Sequence, residues 1–215
     1  MGLLDRLRRR REKARRKRID DVCRGWSGKS HWKFFHEVFT ELPIHDVCIA
    51  GVYLGRDIAY IRDALERARR DDVKIVGVDL FDDVPGADWE ESQRDLTWEE
   101  AGFGEPPSLE AARANLAKLG FDRGVELHQS SAVDFLRARP ESFDLVYIDI
   151  SHDYESTRDA IQAAMTAVRP TGFLCGDDYS DEGTWGVKRG VLEVFEKPRV
   201  FDDWIWLAEA STYKG

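Results

Sequence analysis

Apolar residues in this chain recur in two rhythms. Short unbroken runs, bounded by glycine or acid, alternate with longer stretches whose apolar positions lie three and four apart; the first rhythm predicts buried strands, the second amphipathic helices. Trp26–Glu41, with apolar positions 32, 35, 38 and 39, predicts a helix. A strand from Val47 follows, then a turn with Gly51 and Gly55 and a helix through about Arg69. Lys74–Leu80 predicts a second strand, ending in Asp79. Ser108 caps a helix that stops near Gly120, and Val125–Ser131 predicts a third strand leading to a helix over Asp134–Arg139. Two strands that end in acid, Phe143–Asp149 and Gly172–Tyr179, flank a helical stretch from Asp153 to Val168. A last helix from Trp185 and a hairpin over Arg199–Ala210 complete the pattern.

Strands alternating with helices predict an α/β fold: a doubly wound, mostly parallel sheet of seven strands with a C-terminal antiparallel hairpin. The acid-ended pair forms a βαβ unit, so both strands end on the same sheet edge, where ligands of open α/β folds bind. As neighbours they would lie roughly 4.8 Å apart. Asp149 then faces Asp177 and Asp178 across a short gap, and that much negative charge calls for a cation. A divalent metal on these three carboxylates is the expectation.

Composition limits the alternatives. The 215 residues suit one domain over 19–215 behind a basic tail over 1–18, and no run approaches the roughly 20 apolar residues of a membrane span. Cys23, Cys48 and Cys175 lie far apart, which suggests neither a disulfide framework nor a zinc site and favours a reducing, cytoplasmic setting. Charge is uneven: ten Lys/Arg against Asp5 and Glu12 put about +8 in the first 18 residues and leave about −17 for the rest of a chain whose total is −9. With Leu3, Leu4 and Leu7 ahead of the basic run, the tail suits peripheral attachment to an anionic membrane surface, with nucleic acid as the lesser partner. The plainer reading is a solvated helix, or one lying on the acidic body.

Other positions carry candidate chemistry. The Gly51–Gly55 turn lets backbone approach a ligand at a helix N-terminus, although its spacing is not the three-glycine dinucleotide fingerprint, which disfavours a nicotinamide dehydrogenase. Asp79 suits both hydroxyls of a ribose, and Ser130–Ala132 lie where an adenine could be bracketed. The stretch from Phe81 to Pro107, with Trp89, Trp98 and Phe103, is long for a loop and predicts a substrate-side lid. His31 and His36 have no partner motif and read as packing or surface histidines. Asp153, Glu155 and Asp159 read as helix N-terminal charges.

Taken together, Gly51-Val-Tyr-Leu-Gly-Arg, Gly77-Val-Asp79, Tyr147-Ile-Asp149, His152-Asp-Tyr-Glu-Ser-Thr157 and Gly176-Asp-Asp-Tyr179 resemble class I S-adenosylmethionine-dependent methyltransferases, and most of all the metal-dependent macrocin and novobiocin-type sugar O-methyltransferases. The resemblance runs from about Ile44 to Phe195. It implies S-adenosylmethionine on Gly51, Tyr53, Gly55, Asp79, Ser131 and Ala132, magnesium or another divalent cation on Asp149, Asp177 and Asp178, and a small hydroxylated acceptor such as a sugar or glycoside. Two positions depart from it. Ile49 stands where the group commonly carries a Glu, which removes a contact near the methionine end of the cofactor. The stretch after Asp149 is one residue longer, so that His152 or Ser151 replaces the group's candidate base; an imidazole suits proton removal at neutral pH, and His152 is the expected catalytic residue. The alternative is a catalytically altered or inactive relative whose basic tail binds membrane or nucleic acid.

Overall fold

The computed structural model describes residues 3–82, 89–93 and 95–214; the remainder of the expected lid, and the side chains of Leu3 and Leu4 on which the anchor expectation partly rests, lie outside the described residues. Seven strands form one sheet in the order β3-β2-β1-β4-β5-β7-β6. The strands are β1 (Asp46–Ala50), β2 (Lys74–Asp79), β3 (Val125–Gln129), β4 (Phe143–Ile148), β5 (Val168–Gly176), β6 (Arg199–Phe201) and β7 (Ile205–Glu209). The first five are parallel, and β7 runs antiparallel to both β5 and β6. The helices are α1 (Leu3–Val22), α2 (Lys29–Glu41), α3 (Arg56–Ala68), α4 (Leu109–Leu119), α5 (Ala132–Arg137), α6 (Tyr154–Ala167) and α7 (Val187–Val194).

Alternation along the central strands builds two cores. Val47 and Ile49 of β1, with Leu145 and Tyr147 of β4, pack under α2, α3 and α4. Cys48 and Ala50, with Val146 and Ile148, pack under α5, α6 and α7. All eight are buried, so these strands read as continuous apolar runs. From β1 the chain order leaves in both directions, to β2 on one side and β4 on the other. The crevice at this switch point, at the C-terminal ends of β1 and β4, is where such sheets take ligands.

Several predicted boundaries shift for local reasons. Helix α2 starts at Lys29 rather than Trp26, because Gly25 (φ 157°) and an extended Gly28 keep Trp26 and Ser27 out of the helix. Helix α5 begins at Ala132, not Asp134, since Ser131 caps it by accepting from the Asp134 N–H. Strand β5 begins at Val168 rather than Gly172: α6 passes directly into it, and an irregularity opposite Phe143–Leu145 absorbs the intervening residues. Asp153 caps α6, accepting from the Ser156 N–H at 3.0 Å, as its place at a helix start suggests. In the closing hairpin Asp202 and Asp203 both take positive φ and the Trp204 N–H donates to Phe201, a two-residue turn of the primed kind.

The basic N-terminal segment is helical and lies on the acidic body through its second half. Ile19 and Cys23 are buried, and Glu12 pairs with Arg67. Arg15 reaches Asp63 at 2.5 Å and Glu66 at 2.9 Å. Arg6, Arg9, Arg10 and Arg11 are exposed. Among the described residues no helix is long and apolar enough to cross a membrane.

Asp63 joins three helices. Its carboxylate, 1 % exposed, accepts from Arg15 of α1 and from Trp32 Nε1 (2.9 Å) and His36 Nε2 (3.1 Å) of α2. Burial alone would raise its pKa, but the bonds from His36, Arg15 and Trp32 outweigh it and hold the group below the usual range. Because the folded-state value is depressed, the stabilisation is complete above the unfolded pKa of about 3.9 and is lost as pH falls through the folded value. Asp63→Asn is expected to cost about 2 kcal/mol at neutral pH, the scale of hydrogen bonds to a charged group. That corresponds to a fall in Tm of roughly 6 °C. Thermal melts of both proteins from pH 7 to pH 3 should show the gap closing only below about pH 4.

Candidate active site

The site is built where the β1–α3 turn meets the end of β4. Gly51 has φ 93°, and a Cβ there would stand 1.6 Å from the Asp149 carbonyl oxygen, so only glycine permits the approach. The two strand ends are also bonded, the Asp149 N–H donating to Ala50 O at 2.8 Å, and the Gly51 N–H continues the ladder to β2 by donating to Val78 O at 2.9 Å. Tyr53 (φ 51°) and Gly55 (φ 90°), the residue before α3, continue the turn in left-handed backbone. Asp79 organises it from β2. Its Oδ2 accepts from the N–H groups of Val52 (2.7 Å) and Tyr53 (2.9 Å), and its Oδ1 from Phe81 N–H (2.8 Å). Asp79 also lines a cavity of about 980 Å³, together with Gly51, Tyr53, Ser131 and Ala132.

Across the cavity floor lie the acids. Asp149 follows β4, and Asp177 and Asp178 follow β5. Among the described residues, the donor atoms close enough to share one cation belong to Asp149, His152 and Asp178, all within 4.8 Å of one another. The Nε2 atom of His152 is 2.9 Å from Asp178 and 3.6 Å from Asp149. Asp177 turns the other way. Its Oδ2 meets His31 Nε2 at 2.6 Å, while its Oδ1 is buried without a hydrogen-bond partner among the described residues. The His31 ring is set by its neighbours: the Gly28 N–H donates to Nδ1 at 3.1 Å, which leaves Nε2–H as the donor to Asp177. Burial disfavours a second proton on this ring, but the Asp177 bond and charge outweigh it and push the pKa up to about 9. The Gly28 N–H on Nδ1 opposes that second proton, and in this geometry the ring is neutral with Nε2–H toward Asp177.

Asp57, in the first turn of α3, is a further acid in the same cavity. Ser27 Oγ donates to its Oδ2 at 2.9 Å. Burial pushes its pKa up to about 6, with the Asp177 charge adding to the rise and His31, Ser27 and Arg56 opposing it. Asp149 is pushed to about 7, first by burial and then by the charges of Asp177, Asp178 and Asp57, against the bond from His152. These groups repel one another, and positive charge from a ligand would relieve them.

Aromatic rings wall both sides. Over the glycine turn, Trp26 lies 5.1 Å from Tyr53, Trp98 stacks on Tyr53 at 5.7 Å and 18°, and Phe103 and Trp89 lie behind. The Tyr53 hydroxyl donates to Glu105 O at 2.6 Å. The described part of the expected lid therefore packs on the glycine-turn side. On the opposite side Trp185 lies 5.1 Å from His152 and 6.1 Å from Trp204. Gly186 secures this wall: its N–H donates to His152 O at 2.8 Å, and a Cβ there would be 2.6 Å from Tyr154 Cβ.

A family model described as a methyltransferase domain matches residues 49–179, a span that contains the glycine turn, Asp79 and the acidic strand ends. The chain belongs to this family. Among its methyltransferase relatives, the 8-demethyl-8-(2,3-dimethoxy-alpha-L-rhamnosyl)-tetracenomycin-C 4'-O-methyltransferase of Streptomyces olivaceus is 33 % identical over 140 residues, 63 % of this chain and 53 % of that one. The chain thus spans about half the length of that curated relative. Solved structures with the same methyltransferase fold include the O-methyltransferase NovP (TM-score 0.65, 19 % identity, 85 % of this chain and 80 % of that one). TomG of Streptomyces achromogenes, in complex with SAM, matches with TM-score 0.55 and 18 % identity over 85 % and 80 % of the two chains. A Bacillus cereus O-methyltransferase in complex with SAH gives 0.59 and 14 % over 89 % and 90 %.

Two participants fall outside the residues that sequence reasoning singles out as functional. His31 comes from α2 and meets Asp177 across 146 positions, with no local signal. Asp57 carries one: an acid in the first turn after the glycine turn of a chain with Ile49 before it. Gly51→Ala is expected to destabilise the protein by on the order of 3 kcal/mol, combining a left-handed backbone with a backbone collision. Gly28→Ala, whose Cβ would have nothing within 4 Å, should stay within about 0.5 kcal/mol of wild type. Urea denaturation midpoints of the two variants check the contrast.

Proposed function

We propose that the protein is an S-adenosylmethionine-dependent, divalent-metal-assisted O-methyltransferase acting on a small hydroxylated molecule, a sugar or glycoside. The observation that carries this reading is the meeting of Asp149, His152 and Asp178 within 4.8 Å in a cavity walled by the glycine turn. The donor set fits a divalent cation. Two carboxylates converge beside His152, and the Asp149 carboxyl is pushed up to about 7 by burial and its acidic neighbours. Asp149 and Asp178 are the carboxylates that would hold it, with magnesium favoured by oxygen donors, while Asp177, the third carboxylate expected there, is turned to His31. When bound, S-adenosylmethionine supplies an electrophilic methyl group and a divalent cation supplies positive charge that lowers the pKa of an acceptor hydroxyl.

The chain's own groups do the rest. His152 accepts the acceptor's proton, and Asp149 and Asp178, which its Nε2 faces, stabilise the imidazolium formed. As the new O–C bond forms the S–C bond breaks, so the balanced products are the methyl ether, S-adenosylhomocysteine and a proton. His31 fixes Asp177 at the strand end, and Trp26, Tyr53 and Trp98 shield the cofactor side from water. Trp185 and Trp204 offer ring faces beside His152 that suit the apolar face of a pyranose. The acceptor class is further supported by the sugar O-methyltransferase name of the Streptomyces olivaceus relative.

S-adenosylhomocysteine formation from S-adenosylmethionine and a panel of glycosides with vicinal hydroxyls tests the reading. Turnover should vanish in EDTA and return with magnesium or manganese. Asp178→Asn is expected to lower kcat about 100-fold, the usual scale for losing one electrostatic contributor. Full methyl transfer in chelator would refute the metal assignment, and no transfer to any hydroxylated acceptor would refute the O-methyltransferase reading.

A further inference from the structure

We propose that Asp57 binds the ammonium group of the cofactor's amino-acid end, a role not open to Ile49. The inference rests on the cofactor reading above and assigns it a residue. Ile49 is fully buried in β1, paired with Gly77 and Tyr147, and packs into the core beneath α2 and α3. Asp57 follows two residues after the glycine turn. It lines the same cavity as Gly51 and Asp149 and is 8 % exposed. Ser27 donates to Oδ2 and so fixes the carboxylate, yet Oδ1 is buried without a hydrogen-bond partner among the described residues.

A first-turn acid gains from the helix dipole, which accounts for a negative charge at this position. It does not account for an orphaned buried oxygen, since native proteins rarely leave such a group unsatisfied. The neighbouring cation does not fill the need. Arg56 directs its guanidinium to the carbonyls of Cys23 (2.7 Å), Gly25 (2.6 Å) and Ser27 (2.8 Å). What Oδ1 lacks is a donor, the cavity that Asp57 lines is where a ligand can bring one, and the charges of Asp149 and Asp177 disfavour an anionic group there. A primary ammonium meets both conditions, because it donates three hydrogen bonds and carries the positive charge.

Isothermal titration with three ligands tests the assignment: S-adenosylhomocysteine, its analogue without the α-amino group, and 5′-methylthioadenosine, which lacks the amino-acid end. Wild type should bind S-adenosylhomocysteine about 30-fold more tightly than the deamino analogue, the worth of one charged hydrogen bond. Asp57→Asn should erase that preference and leave 5′-methylthioadenosine within about twofold, as expected if only the ammonium contact is lost. Ser27→Ala keeps the charge but releases the carboxylate, and should reduce the preference about threefold, the scale of a modest hydrogen bond. The assignment is overturned if Asp57→Asn retains the preference, if it weakens all three ligands equally, or if the preference survives intact in Ser27→Ala. Wild type that binds S-adenosylhomocysteine without distinguishing the deamino analogue sinks Asp57 alone. Wild type that binds none of the three sinks the cofactor reading with it.

Discussion

The close approach of two strand ends is the constraint on which the rest of this protein depends. Asp149 N–H bonds to Ala50, and the missing side chain of Gly51 lets the Asp149 carbonyl lie where a Cβ would be. That contact brings a turn suited to a cofactor and an acidic strand end suited to a cation to either side of one peptide plane. Distance matters here because methyl transfer needs donor and acceptor in line and touching; a turn displaced by an ångström would undo the alignment. The surrounding elements hold the approach in place. Asp79 ties the turn down through two backbone N–H groups, and the unbroken apolar runs of β1 and β4 bury both strands on both faces.

Charge is the second organising term. Asp57, Asp149, Asp177 and Asp178 all border the cavity, and the described residues supply little positive charge to match them. His31 and His152 each face a carboxylate, but Arg56 is held by backbone carbonyls. The basic helix α1 neutralises Asp63 and Glu66 on the outside of α3, not the acids within. Among the described residues the cavity is thereby left with a demand for cations that ligands can meet. A sulfonium, an ammonium and a divalent metal share that single electrostatic character, so the same field that raises Asp149 and Asp57 favours every component of the proposed reaction that carries positive charge.

Much of this was legible in sequence because it depends on local rules. Unbroken apolar runs, acids at strand ends and a Ser or Asp before a helix are written within a few residues, and β1, β2, β4, α4 and α6 lie close to their expected spans. What was not legible depends on encounters across the chain. Nothing around His31 announces that Asp177, 146 positions away, will take its Nε2–H. Asp177 and Asp178 are adjacent, and sequence treats them alike; backbone geometry separates them, with Asp178 in positive φ beside His152 and Asp177 turned to α2. The aromatic insert was visible as an insert, but which side of the cavity it covers is decided by Tyr53, whose ring stacks on Trp98 and whose hydroxyl holds Glu105.

The pairing of His31 with Asp177 also bears on why two neighbouring acids need not play the same part. Asp177 is fixed by a donor whose other nitrogen is taken by Gly28, so ring and carboxylate lock each other into one orientation. Asp178 has no such anchor; it shares His152 with Asp149, and that ring leans on Trp185, which Gly186 fastens to the same loop. One acid is therefore a rigid post and the other belongs to a group that can redistribute a proton. The proposed reaction, which holds a cation while moving a proton, has a use for both kinds, and here they are consecutive residues after one strand, one facing α2 and the other the loop before α6.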